Sequence, residues 1–304
     1  MGIGLVKVKS GIVSLIGRPN AGKSTLINQF IGTKIAIVSN KPQTTRTRIL
    51  GVQHGTRERP GQAVFVDTPG IHRPLHRMNV RMVDQAVEAI TQMDVVVMVV
   101  DAAASSGAGD RFVLDLVTRA NGPVILALNK IDLVSKPRLL PMIDRYQKQG
   151  KFVGFVPISA LSGDGISDLE GLIWEHLPEG TPLYPDDYLT DQPERMIVAE
   201  MVREQVLHQT EAELPFSTAV VVDRFDEANS DGLMRLYCSI IVDRDSHKPM
   251  VIGKGGARIK QIGTEARAEI TRFFGVRVFL DLHVRVRKGW RESDRVLRDI
   301  GVTR

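Results

Sequence analysis

The chain has 304 residues, of which 43% are apolar and 25% charged, with a formal net charge of +5. That is room for two compact domains, each with its own core, and it excludes wholesale disorder. A single cysteine, Cys238, excludes zinc fingers, disulfide frameworks and dithiol redox chemistry.

No apolar run approaches the ~18 residues that span a bilayer. The start, MGIGLVKVKS, lacks the apolar core and cleavage site of a secretory signal. A cytoplasmic protein is expected. The charge is unevenly spread: residues 181–250 hold 6 Lys/Arg against 14 Asp/Glu, and residues 251–304 hold 13 against 6. Such asymmetry suggests a polyanionic partner.

From residue 11 to about 178, apolar runs alternate with amphipathic stretches. Strands are expected at 11–17, 47–53, 63–68, 94–101, 123–130 and 152–159, with helices at 23–31, 79–91, 109–120, 136–149 and 166–177. This alternation predicts an α/β domain whose mostly parallel sheet carries helices on both faces, with ligands beyond the carboxyl ends of the strands.

The polar motifs fall at those strand ends. GRPNAGKS (17–24) fits G-x-x-x-x-G-K-[ST] between a strand and a helix. Backbone N–H groups of Asn20, Ala21, Gly22 and the helix start, through Thr25, can surround a β-phosphate. Lys23 is expected to reach the β- and γ-phosphates, and Ser24 to ligate Mg²⁺. VDTPG (66–70) offers Asp67 for the outer shell of the Mg²⁺ and the Gly70 N–H for a γ-phosphate. In NKID (129–132), Asn129 and Lys130 precede Asp132, which can accept two hydrogen bonds from guanine that adenine does not offer. In ISAL (158–161), Ser159 and Ala160 complete the base pocket. Four motifs on successive strand ends predict a GTP site.

The polar loop SNKPQTTRTR (39–48) holds threonines able to close on Mg²⁺ once a γ-phosphate is bound, Thr45 in preference to Thr44. Arg46 reads as a surface arginine of that loop rather than an arginine finger. Ile71 stands where Ras-like enzymes carry a water-orienting glutamine, so no catalytic residue is assigned and slow intrinsic hydrolysis is expected. Asn20 is a candidate potassium ligand. His72 and His76 lack a third partner for zinc.

Residues 179–193, rich in proline, read as an extended connector. Residues 194–304 then follow the order helix, strand, strand, helix, loop, helix, strand, with GKGG between two helices. That is a K-homology (KH) fold of the second topological type, an α+β domain whose GXXG loop clamps single-stranded nucleic acid. Gly253, Gly255 and Gly256 admit a phosphodiester backbone, and Lys254, Arg258 and Lys260 neutralise it. In the last strand, 276–287, valines and leucines alternate with Arg277, His283, Arg285 and Arg287 on the opposite face.

The set GRPNAGKS, PQTTR, DTPG, NKID and SAL, joined to VIGKGGARIKQIG, resembles the Era-type GTPases with a C-terminal KH domain over nearly the whole chain. The resemblance implies a monomeric, Mg²⁺-dependent GTP-hydrolysing switch. It also implies that the KH domain holds the 3′ end of 16S rRNA during maturation of the small (30S) ribosomal subunit. Peripheral association with the inner membrane is implied as well. The competing reading is a GTPase acting on a protein or membrane partner, with the KH fold as a scaffold.

Overall fold

The computed structural model describes residues 8–41, 44–67, 93–105, 107–210 and 214–302. The expected helix at 79–91, together with Gly70, Ile71, His72 and His76, lies outside them. Among the described residues no helix is long and apolar enough to cross a membrane. The chain divides into two compact units, residues 1–35 with 45–191, and residues 36–44 with 192–304.

The first unit is built on a sheet of β1 (Val8–Gly17), β2 (Ile49–His54), β3 (Gly61–Asp67), β4 (Val95–Asp101), β5 (Val124–Asn129) and β6 (Gly154–Pro157). Their order is β2-β3-β1-β4-β5-β6, and all neighbours are parallel except β2 with β3. Every residue from 95 to 100 is at most 4% exposed. A strand buried on both faces has no use for polar alternation, which is why VVVMVV is continuously apolar. On one side Met98, Val100, Leu126 and Leu128 pack with Val113 and Leu114 of α2 (Ala108–Val117) and Tyr146 of α3 (Leu139–Gln149). Two further helices of this unit among the described residues are α1 (Lys23–Ile31) and α4 (Ile166–His176). The strand order reverses at β1, between β3 and β4. In open α/β sheets, ligands bind beyond the carboxyl ends of the strands at this switch point.

The segment expected as an extended connector is instead tied to this unit. Glu179–Gly180 adds a short antiparallel strand, β7, to the start of β1. Beyond it, Gln62 accepts the Leu183 and Tyr184 N–H groups at 2.8 and 3.0 Å, and Val52 N–H donates to the Leu189 carbonyl at 2.9 Å. Stacked Tyr184 and Tyr188 (ring centroids 4.7 Å apart) cover Leu50, Val52 and Val64. The physical reason lies in β2, an antiparallel edge strand whose free backbone groups need a partner.

The second unit holds a three-stranded sheet, β10-β9-β8, from β8 (Thr218–Asp226), β9 (Leu233–Val242) and β10 (Arg277–Val286); β9 is antiparallel to β8 and parallel to β10. Its inner face (Met234, Leu236, Cys238, Ile240, Val278, Val284) packs on α5 (Glu194–Gln209), α7 (His247–Ile252) and α8 (Ala257–Phe274). A single turn, α6 (Leu214–Ser217), precedes β8, and a short α9 (Asp294–Asp299) follows β10. Sequence periodicity did not anticipate either; both are too short to establish one. Ahead of α9, Trp290 is 1% exposed and its indole N–H donates to the Ser217 carbonyl at 3.0 Å.

Candidate GTP site and nucleic-acid loop

The turn from β1 into α1 is shaped by two glycines and an asparagine. A Cβ on Gly17 would lie 2.4 Å from the Val99 carbonyl, and one on Gly22 (φ +96°) would lie 2.1 Å from the Asn129 amide nitrogen. Asn20 adopts φ 62°, a left-handed conformation that asparagine tolerates better than most residues. Helix α1 then begins without a side-chain cap, leaving its first N–H groups and positive dipole end facing the loop.

Lys23 is 5% exposed, and its ammonium donates to the Gly17 and Arg18 carbonyls at 3.1 Å each. Burial lowers its pKa, opposed by the charge of Asp67. Asp67, wholly buried at the end of β3, has its pKa raised by that burial, with Lys23, Ser24 and Thr45 acting the other way. Ser24 donates to Asp67 Oδ2 at 2.7 Å and lies 2.8 Å from the Thr45 hydroxyl. Among the described residues, Asp67 Oδ1 has no hydrogen-bond partner. A buried carboxylate oxygen left without a donor, beside two hydroxyls, forms an all-oxygen set suited to a hard divalent cation such as Mg²⁺.

The Thr44 hydroxyl donates to the Lys41 carbonyl at 2.6 Å. Arg46 corrects a sequence expectation: it is 6% exposed, not a surface residue.

The base-side motifs converge through Asn129. Its amide donates to the Ala21 carbonyl at 2.8 Å, and its oxygen accepts the Ala160 N–H at 2.9 Å. NKID is thereby joined to both the phosphate loop and the ISAL loop. Lys130, at φ 67°, extends its ammonium to Asp101 Oδ2 at 2.6 Å. Sequence reading passed over Asp101 at the end of β4; its Oδ1 accepts the Ala103 and Ala104 N–H groups, which fixes the carboxylate. Asp132 is exposed, with its carboxylate open to a ligand. Ser159 is fully buried, accepting the Ser162 N–H at 3.2 Å.

In the second unit, α7 ends at Ile252 and α8 begins after Gly256, so GKGG is the turn between two helices. Gly253, Gly255 and Gly256 have φ of 76°, 58° and 78°, where L side chains are strained. At Gly255 and Gly256 the space a Cβ would take is open, while at Gly253 it is closed by Arg258. Lys254 and Lys260 are exposed. Arg258 turns back, its guanidinium donating to the Met250 carbonyl across the loop. The outer-face arginines of β10 are already engaged: Arg285 pairs with Asp223 at 3.4 Å, and Arg277 donates to the Asp231 carbonyl at 2.5 Å.

Comparison with known proteins finds the same two kinds of domain. Residues 12–130 match the family model described as 50S ribosome-binding GTPase, and residues 213–291 match the KH domain model. GTPase Era of Geobacter metallireducens is 47% identical over 296 residues, 97% of this chain and 98% of that protein. GTPase Era of Geotalea uraniireducens is 48% identical over 294 residues, covering 96% and 97%. Among solved structures, an Aquifex aeolicus Era variant bound to GDP and AlF4⁻ superposes with a TM-score of 0.91 at 38% identity, covering 98% of this chain and 100% of that one. An Era complex with MgGDPNP and nucleotides 1506–1542 of 16S ribosomal RNA gives 0.91 at 37%, with the same coverage. A GTPase model and a KH model matched on one chain, with relatives 47–48% identical over at least 96% of it, fix the assignment: the chain belongs to the Era family of GTPases.

Proposed function

We propose that this GTPase binds the 3′ end of 16S rRNA through its KH domain and assists assembly of the small ribosomal subunit in the cytoplasm. The observation that carries the reading is the GKGG turn: three positive-φ glycines, two with open space above them, at the uncapped start of α8, beside exposed Lys254 and Lys260. Such a turn lets a phosphodiester backbone approach the main chain and meets it with positive charge. A related Era structure holds 16S rRNA nucleotides, which supports the choice of RNA. In this reading residues 1–178 form the GTP-binding domain, 179–193 the connector and 194–304 the RNA-binding domain.

The nucleotide roles follow the same division. Backbone N–H groups of residues 20–25 receive the phosphates, with Lys23 leaving its two loop carbonyls for the β- and γ-phosphates. Ser24, Thr45 and Asp67 hold Mg²⁺, which when bound offsets the charge developing on the phosphoryl oxygens. Asp132 reads guanine, Lys130 packs its stem on the base, and the Ala160 N–H meets the guanine carbonyl. Asn20 is suited to a potassium ion, and hydrolysis is expected to run faster in potassium than in sodium buffer; equal rates would remove that assignment.

The test of the RNA assignment is binding of a 16S 3′-end oligonucleotide to the wild type and to the Lys254→Asp/Gly255→Asp double variant. We expect the variant to remain folded and to lose at least tenfold in affinity, since two reversed or added charges at a phosphate contact act directly. Unchanged affinity would remove RNA from the account and favour a protein partner, with the KH fold as a scaffold.

A further inference from the structure

Helix α5 buries three consecutive polar residues, Arg203, Glu204 and Gln205, at 1%, 1% and 4% exposure. A buried guanidinium persists only where it is paired and hydrogen-bonded. Arg203 Nε and Nη2 donate to the two carboxylate oxygens of Glu200 at 2.7 Å each, a fork that fixes the guanidinium plane. The same Nη2 donates to the backbone carbonyl of Thr44, 159 residues earlier in the chain. Glu204, the next residue, accepts the Val38 N–H at 2.8 Å, and His208 Nε2 lies 3.0 Å from the Val38 carbonyl. One helix therefore holds the chain ahead of Thr45 at two points, both inside the unit formed by residues 36–44 and 192–304.

The chain leaves that unit at Thr44, and Thr45 is counted with the other unit, where its hydroxyl meets Ser24. The Thr44 carbonyl and the Thr45 N–H share one rigid peptide plane. Fixing the carbonyl oxygen thus restricts where the next Cα, and the hydroxyl it carries, can go.

We propose that Arg203 is a positioning residue for the metal site: by holding the Thr44 carbonyl, it sets the peptide plane from which Thr45 presents its hydroxyl to Mg²⁺. The inference rests on the reading of Thr45 as an Mg²⁺ ligand that engages when a γ-phosphate is present. Its signature is selectivity. Loss of Arg203 must weaken a GTP analogue more than GDP, and only when Mg²⁺ is present. A general loss of packing would weaken both nucleotides alike.

The experiment measures affinity for fluorescent GDP and a fluorescent non-hydrolysable GTP analogue, each in Mg²⁺ and in EDTA. It compares wild type, Arg203→Met, Glu200→Ala and Thr45→Ala in the full-length chain, with thermal unfolding as the check on folding. Arg203→Met is expected to lower GTP-analogue affinity in Mg²⁺ by roughly tenfold, the scale of an ordinary coupling between sites. GDP affinity should stay within about twofold and the difference should vanish in EDTA. Glu200→Ala, which frees the guanidinium without removing it, should shift the same ratio in the same direction, and decides the matter if Arg203→Met does not fold. An unchanged ratio in the Arg203 and Glu200 variants, with Thr45→Ala still selective against the analogue, overturns the role of Arg203 alone. An unchanged ratio in Thr45→Ala as well removes the metal assignment on which the inference rests.

Discussion

The Asn129 carboxamide donates to the Ala21 carbonyl at 2.8 Å, joining two loops 108 residues apart. With its oxygen on the Ala160 N–H, this side chain is the pin through three of the four nucleotide motifs. Its replacement by alanine leaves a buried carbonyl and a buried N–H without partners, at a cost of about 1–3 kcal/mol each. Asn129→Ala should therefore lower the thermal midpoint of the nucleotide-free protein and weaken GDP and GTP by similar factors. Calorimetry and nucleotide titration check this. A variant as stable as wild type would show that the pin carries no load.

Asp132 is expected to accept from two guanine donors, and that geometry can be inverted. Asp132→Asn presents an amide N–H where a carboxylate oxygen stood, which suits the second carbonyl of xanthine. GTP affinity should fall about a hundredfold, equivalent to the ~3 kcal/mol of a charge-assisted hydrogen bond. XTP affinity should rise. Competition between the two nucleotides at fixed Mg²⁺ measures the exchange, and retained GTP preference in the variant would place base recognition elsewhere.

Cys238 lies in the centre of β9 and is fully buried. Burial pushes its thiol up to about 12 from an ordinary value of 9.0, with the Asp223 and Asp281 charges adding to the shift. The folded state therefore keeps its proton between these values while the unfolded state loses it. The stability this contributes is full below pH 9 and falls as the pH rises toward 12. At pH 8 the native protein should not react with a thiol-specific reagent, and one thiol should react on unfolding. Rapid labelling of the folded chain would contradict the packing of the second core.

Most of the sheet and the phosphate loop were legible because each is written locally. VVVMVV is apolar at every position because both faces are covered, and residues 17–24 carry their glycines where Val99 and Asn129 leave no room for a Cβ. Helix α5 was legible only on one side. Ile197, Met201, Val202 and Val206 mark the face toward the core, but Arg203 and Glu204 on other faces are equally buried. Nothing local distinguishes a polar residue that faces water from one that meets a loop 159 residues away. The same applies to Arg46, polar in composition and buried in fact, and to the connector, whose attachment to β2 through Val52 and Leu189 depends on a sheet edge that local composition does not display. Asp101 was missed for a related reason. A lone carboxylate at a strand end becomes informative only once Lys130 is seen to reach it.

The central claim is that one chain binds GTP and RNA at separate sites and that the two events are linked. Equilibrium binding of a 16S 3′-end oligonucleotide in the presence of a GTP analogue and then of GDP tests it most directly, at one salt concentration and with Mg²⁺ throughout. The account predicts tighter RNA binding with the analogue, by about 5-fold or more. It also predicts loss of that difference in Thr45→Ala. Equal RNA affinity in the two nucleotide states of the wild type would contradict it.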